Sequence, residues 1–386
     1  MQIFKNPDFK FMKYKYIALA LSITVILIGI FNIYFGKGLT SGIDFSGGAL
    51  IQIRFKSPFP IGELRQTLSA AGLEDAKITE VEEGQREYII RAMLPEADVE
   101  KELEAHELVG NRVIDILRDE GDREALQKGL IDLNEVDTEA LTNLLSTSFP
   151  EEAAAAATKI IQYRESTTIK GIYESSDQLK ELDLGQLMES EIEEKTFLGS
   201  LVTKRRETVG PQVGRTLKRK ATQATVWALI GMLIYIGIRF KLAYGVSAII
   251  TLAHDVLITL GIFSLTNREI NLPVIAAIMT IVGYSLNDTI VIFDRVRDNL
   301  KSMRKHEFQE ILNTSINQTL SRTSITSGTT LLTVLALFLF GGEVINDFAF
   351  TMMIGVVVGT YSSIYQSCSL LYFWKKLFKP KKGMGK

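Results

Sequence analysis

The chain has 386 residues, 23% of them charged, with a formal net charge of −2 and a mean hydropathy of +0.15. A positive mean hydropathy beside so many charges excludes one evenly mixed globular domain and requires apolar and charged residues to occupy different segments. The single cysteine, Cys368, excludes an intrachain disulfide and a cysteine-based zinc site, and three histidines argue against a histidine metal centre.

Crossing about 30 Å of hydrocarbon takes about 20 mostly apolar helical residues. The first such stretch is 16–35; it lacks a small-residue cleavage site and ends in Asn32-Ile33-Tyr34-Phe35, an interfacial ending rather than that of a removable leader. A mixed segment follows. The spacing predicts a strand over 49–55, a helix over 61–71, strands over 76–81 and 87–94, and a helix over 97–119. After a polar stretch a further strand is expected over 197–208, leading to Pro211, a favourable first helical residue. Strands and helices in this order suggest an α+β, ferredoxin-like sheet. Five more apolar stretches complete the chain, at 221–238, 242–265, 272–293, 324–340 and 348–371.

Short-loop Lys and Arg set the orientation. Four lysines in the N-terminal tail, six basic residues between the fourth and fifth stretches and six lysines at the C-terminus place both termini in the cytoplasm, whereas the two short loops opposite hold only Arg268. Arg215, Lys218, Arg219 and Lys220 dissent, but they close a long translocated segment, where charge counts for little. The expected organisation is a cytoplasmic tail 1–15, a first span 16–35, an extracytoplasmic domain 36–220, spans two to six within 221–371, and a basic cytoplasmic tail 372–386.

Within the domain, residues 131–145 and 157–164 resemble the helix-hairpin-helix module. That module often presents a glycine-rich hairpin to nucleic-acid phosphate. Here the hairpin is Ser146-Thr147-Ser148-Phe149-Pro150, and 17 acidic against 7 basic residues over 121–195 would repel phosphate. A protein-contact insertion is the reading, with no nucleic acid as partner. The segment Gly42-Ile43-Asp44-Phe45-Ser46-Gly47-Gly48 reads as a structural hinge, because glycine pairs permit close backbone approach. No helix is expected directly after it and no phosphate-loop lysine exists, which argues against nucleotide binding.

The spans carry polar groups. On the fourth, Thr280, Tyr284, Asn287 and Val291 recur at helical spacing, with Asp288 beside Asn287. The fifth opens with Arg322 and continues through Thr326, Thr329, Thr330 and Thr333. The sixth places Thr351, Gly355, Gly359, Ser363 and Ser367 four residues apart, a ridge of small side chains that lets helix backbones approach. An ionised Asp inside a span costs about 2.5–3.5 kcal/mol on insertion scales, so Asp288 is expected to face the bundle interior near Arg322. Burial opposes the charged carboxylate and a guanidinium favours it, so small rearrangements alter proton occupancy. The plainer alternative has Asp288 bridging helices and Arg322 reaching to the interface. His254 and Asp255 are a second, weaker candidate. Neighbours on a helix diverge by about 100°, so they are not expected to pair, and packing or capping serves equally well. Asp294 and Arg295 read as solvated.

Several of these segments resemble the SecF branch of the SecD/SecF family. They are residues 42–48 (GIDFSGG), 209–217 (VGPQVGRTL), 283–299 (GYSLNDTIVIFDRVRDN), and 315–332 (SINQTLSRTSITSGTTLL) running into Phe340-Gly341-Gly342. The resemblance implies half of a pseudo-symmetric RND-type bundle, a SecD-like partner, the SecYEG channel, a small YajC-like subunit and an emerging preprotein, in a bacterial inner membrane. It implies no cofactor and no enzyme activity; protons would be the coupling ion, driving movements of the outer domain that promote export. Asp288 and Arg322 occupy the family's proton-pathway positions, with Asn287 and Thr326 beside them. Gly210, Pro211 and Gly214 belong, with the GIDFSGG glycines, to motifs bounding the outer domain. The stretch 121–195 departs from the family, whose members are usually shorter there. Half of an RND-type exporter of lipids or small hydrophobic molecules is the alternative, although such exporters are usually longer chains with two outer loops. A non-transporting organiser of the channel is a third reading.

One charge crossing 100 mV releases about 2.3 kcal/mol. That biases a two-state movement roughly fifty-fold, which suits a ratchet better than a pull.

Overall fold

The computed structural model describes residues 4, 7–82, 86–92, 102–166 and 169–378. The chain forms two compact units, Ile43–Thr216 and the combination of Met1–Gly42 with Leu217–Lys386.

Among the described residues six helices are long and apolar enough to cross a membrane: Phe11–Phe35, Gln212–Arg239, Leu242–Thr266, Leu272–Ser302, Phe308–Phe340 and Ile345–Leu377. Each expected span lies within one of them. The fifth is far longer than expected, so Arg322 sits near its middle rather than at its mouth. Hydropathy misses the first half because its polar residues are paired inside protein. Asn317 bonds both the N–H and the C=O of Phe9 at 2.9 Å, and Asn313 accepts from the N–H of Met12 at 3.1 Å. The tail read as 1–15 thus lies along the fifth helix where it is described. The sixth span passes through a π-helical turn, Ser362–Gln366, and continues to Leu377, beyond the expected end at 371. Local signals set the other ends. Asn271 accepts from the N–H of Val274 at 3.0 Å to cap the fourth span, and Asn267 closes the third in a left-handed conformation with φ 55°.

Small residues decide how closely these helices pack. A Cβ on Gly29 would lie 2.7 Å from the Cα of Gly261, so the first and third spans touch backbone to backbone. A Cβ on Gly355 would lie 2.2 Å from the side chain of Ile281, and one on Gly359 would lie 3.1 Å from Ser285. The ridge expected on the sixth span therefore packs on the fourth, with Ser363 buried beyond it.

The other unit is built on four antiparallel strands: β1 (Gly48–Phe55), β2 (Lys77–Glu82), β3 (Glu87–Ala92) and β4 (Leu201–Val209), in the spatial order β2-β3-β1-β4. Helices α1 (Ile61–Ala70) and α2 (Glu102–Leu117) complete a β-α-β-β-α-β connectivity, the split arrangement expected of a ferredoxin-like sheet. Alternate β1 residues Ala49, Ile51, Ile53 and Phe55 join Leu64, Leu68, Tyr88, Ile90 and Val113 in one core. Residues 93–94 of the expected third strand and 97–101 of the expected second helix lie outside the described residues.

Among its described residues the acidic insertion has four helices of eight residues or more, α3 (Glu120–Gln127), α4 (Thr138–Ser146), α5 (Ala153–Arg164) and α6 (Gln186–Lys195), and a single helical turn at Asp177–Lys180. They enclose a core of their own, including Leu133, Leu141, Ile160, Tyr173 and Ile192. As expected, α4 and α5 are joined by a hairpin, and Asp137 caps α4 by accepting from the N–H of Ala140 at 2.7 Å. Three insertion carboxylates clasp the approach to β4. Asp132 accepts from the N–H of Gly199 at 3.0 Å, Asp122 from that of Ser200 at 2.9 Å, and Glu135 from that of Thr203. Burial pushes the Asp132 carboxyl up to about 6, against the opposing N–H bonds from Asn134 and Gly199.

Because the folded state holds that proton more firmly, the stabilisation from Asp132 is present near pH 4 and is lost as pH rises through about 6. Hydrogen exchange over 130–136 and 197–203, corrected for intrinsic rates, is expected to show stronger protection at pH 4.5 than at pH 7. Asp132→Asn keeps an accepting oxygen and should flatten that difference by about 1–2 kcal/mol; equal pH dependence in both proteins would refute the assignment. In the membrane unit, Gly355→Leu is expected to cost about 1–3 kcal/mol through overpacking against Ile281. It should lower the melting temperature in detergent, whereas Gly237→Leu, at a position with open space around it, should not.

Candidate functional site

Asp288 is 3% exposed, on the face of the fourth span that also buries Ser285, Thr289 and Ile292. The Ser327 hydroxyl on the fifth span lies alongside its carboxyl, and Arg322 acts on it electrostatically. Ser327 in turn accepts from Thr360 of the sixth span at 2.7 Å and from the Tyr284 hydroxyl at 3.2 Å. The carboxyl therefore sits where three spans converge. Its Oδ2, with the hydroxyls of Thr289 and Thr323, is buried without a hydrogen-bond partner among the described residues. Buried polar atoms in folded proteins ordinarily find a partner, water included, so the unpaired Asp288 oxygen is suited to a proton or to solvent.

The other predicted residues separate around this point. Arg322 is exposed on the surface of the chain and makes no direct ion pair with Asp288. Thr326 is half-buried and spends its hydroxyl on the backbone of its own helix, at Arg322 and Thr323. Asn287 is exposed, as is Thr280, whereas Tyr284 of the same stripe turns to Ser327, so the stripe is divided between the surface of this chain and its bundle. The roughly 100° between successive helical residues puts Asn287 on the exposed surface of this chain and Asp288 inside it. Thr329 and Thr333 of the fifth span are exposed too.

His254 and Asp255 are both buried and, contrary to expectation, bonded to each other, Nδ1 to Oδ1 at 2.8 Å. The divergence of their Cβ directions is offset by the reach of the two side chains. Asp294, read as solvated, pairs with Arg239 at 2.7 Å at the bundle edge. The lone short-loop cation, Arg268, bonds Asp347 at 2.5 Å and lies 4.1 Å from the centre of the Phe350 ring.

The glycine motif has backbone reasons for its residues. Gly47 and Gly48 adopt φ 75° and 132°, which disfavour any side chain. A Cβ on Gly214 would lie 3.1 Å from the N of Gly47. Gly42 donates its N–H to the C=O of Ile270 at 2.8 Å. Asp44 is half-buried in the single turn Ile43–Ser46, and Gly210 accepts from the N–H of Gly214 just before the helix that opens at Pro211. Sequence reasoning missed Ser22, Ser285, Ser362 and Gln366, which surround His254 and Asp255, and the Gly29–Gly261 contact. Small polar residues in apolar stretches were the signal available.

Comparison with known proteins agrees with this arrangement. Residues 189–377 match the protein export membrane protein SecD/SecF C-terminal family, and residues 35–58 match the SecD/SecF GG motif. The chain is 35% identical to a protein translocase subunit SecF of Koribacter versatilis, over 97% of this chain and 94% of that one. It is 39% identical to a SecF subunit of Desulfurispirillum indicum, over 92% and 89%. A crystal structure of SecDF, a translocon-associated membrane protein from Thermus thermophilus, superposes with a TM-score of 0.64 at 30% identity; it covers 96% of this chain, which spans 39% of that longer one. With six apolar helices, a glycine motif and a buried span-four aspartate in the same chain as these matches, the protein belongs to the SecD/SecF family, among its SecF members.

Proposed function

We propose that this chain is a proton-coupled accessory subunit of bacterial protein export, and that Asp288 is its proton-binding group. The observation that carries the reading is a carboxyl shielded from solvent at the meeting of three spans, with an oxygen left unpaired and a guanidinium acting at a distance. A carboxylate saturated with donors would hold one state. One left partly unsatisfied beside a positive charge changes its proton occupancy when its neighbours shift.

The exposed polar row at Thr280, Asn287, Arg322, Thr329 and Thr333 supports a partner. The threonine hydroxyls bond their own helix backbone, but an arginine facing lipid is costly, so protein or a hydrated seam is expected to cover Arg322. A SecD-like subunit is the proposed cover, with Asn287 and Arg322 lining the join. Proton entry from outside, with both termini in the cytoplasm of an inner-membrane protein, would then bias movement of the Ile43–Thr216 unit about its glycine motif against an emerging preprotein at the SecYEG channel, with a YajC-like subunit as a further associate. No cofactor enters the scheme and no catalytic step is assigned.

In inverted membrane vesicles, Asp288→Asn is expected to reduce gradient-stimulated export to the level of vesicles lacking the chain, while ATP-driven export persists. Full retention of the gradient-dependent component would remove Asp288 from the mechanism. Affinity purification of the intact chain is expected to recover a SecD-like subunit, and Arg322→Ala should weaken that recovery several-fold.

A further inference from the structure

The buried cluster around His254 contains more hydrogen-bonding capacity than helix packing needs. Asp255 is 1% exposed. Its Oδ1 meets His254 Nδ1 at 2.8 Å, and its Oδ2 receives the hydroxyls of Ser285 from the fourth span and Ser362 from the sixth, the latter at 2.8 Å. With Asp255 ionised both its oxygens accept, which leaves Nδ1 as the donor and fixes the ring. The remaining ring nitrogen, Nε2, lies 2.9 Å from the Ser22 hydroxyl of the first span. Ser22 also receives a bond from the Gln366 amide at 2.5 Å and lies 3.2 Å from the Tyr361 hydroxyl. Tyr361 donates to the C=O of Ala18 at 2.8 Å, which leaves its oxygen able to accept.

Two arrangements of hydrogens fit these fixed heavy atoms. In one, the Ser22 hydroxyl donates to Nε2 and the imidazole is neutral. In the other, a proton has added to the Nε2 lone pair, Nε2–H donates to Ser22, and the Ser22 hydroxyl has turned to the Tyr361 oxygen. Every polar atom named remains satisfied in both. We propose that His254 is a second proton-holding site of the membrane unit, with Asp255 as its positioning residue and the Ser22 hydroxyl as the rotor that serves both charge states.

Two further features favour a site over simple packing. Ser362 and Gln366 are the ends of the π-helical turn, a distortion that recurs at functional positions. Ser285 precedes Asp288 by three residues on the fourth span, so the two sites lie within one turn of each other along that helix. The titratable groups within about one turn of the contact residues are Tyr284 and Asp288 on the fourth span and Tyr361, Tyr365 and Cys368 on the sixth; the first span contributes none there. The inference deepens the proton reading of the bundle, but it makes no use of the Asp288 carboxyl.

The chain has three histidines, which makes the site observable directly. The full chain, labelled with ¹⁵N-histidine and reconstituted in lipid bilayers, can be followed by solid-state NMR from pH 5 to pH 9, the range spanning ordinary imidazole chemistry. His254→Gln assigns the signal by its loss. In the unaltered chain, Nδ1 is expected to stay protonated throughout while Nε2 passes from protonated to bare. Ser22→Ala should keep the imidazole neutral over the whole interval, and Ser22→Thr, which keeps a hydroxyl, should restore the transition. A ring held in one state at every pH, or a Ser22→Ala transition unchanged from the parent, would overturn the proposal. The NMR measurement needs no export activity, so a failed Asp288→Asn export test would leave a positive His254 result standing, and a static His254 would leave the Asp288 reading intact.

Discussion

A polar side chain at membrane depth must find a partner, because hydrocarbon offers none. The chain meets that demand in opposite ways at two aspartates. Asp255 is saturated: His254, Ser285 and Ser362 all bond it, and three spans are tied together as a result. Asp288 is starved: one oxygen is unpaired, and the guanidinium that acts on it makes no direct contact. A saturated carboxylate orders the helices that surround it. A starved one keeps its chemistry available, and it can be kept so only where the rest of the bundle is already rigid.

That rigidity comes from small residues. Gly29 against Gly261 and Gly355 against Ile281 bring backbones or aliphatic side chains into contact. Without a hydrophobic force between helices in lipid, such close approach and the interhelical hydrogen bonds are what hold the spans together. The same approach delivers Ser285 and Ser362 to Asp255, since Gly359 lies against Ser285 and precedes Ser362 by three residues. Packing and polar pairing are therefore one arrangement, and a larger side chain on the ridge would disturb both.

Much of this was legible in the residues. Apolar length located every span, and the alternation of strand and helix patterns anticipated the β1–β4 sheet. The burial of Asp288 followed from the cost of exposing it. Other features were hidden for physical reasons. The first half of the fifth helix is too polar for a hydropathy argument, because Asn313 and Asn317 spend their amides on the N-terminal segment. The bond between His254 and Asp255 depends on side-chain reach, which Cβ geometry does not report. Asn287 and Asp288 are adjacent in sequence yet point about 100° apart on the helix, so one is exposed on this chain and the other buried.

The outward-facing members of the polar set bear on what the working unit is. Thr280, Asn287, Arg322, Thr329 and Thr333 are exposed on the surface of a helical bundle whose other exposed positions include Leu332, Leu335 and Leu339. The leucines can face lipid without cost, whereas an arginine within a membrane-crossing helix ordinarily faces protein or water. The charge that acts on Asp288 is thus held on the boundary of this chain, where a second protein would reach it first. Under the proposed function, a partner covering the fourth and fifth spans would meet Arg322 before the buried carboxyl, and proton occupancy at Asp288 would respond to how it holds that guanidinium.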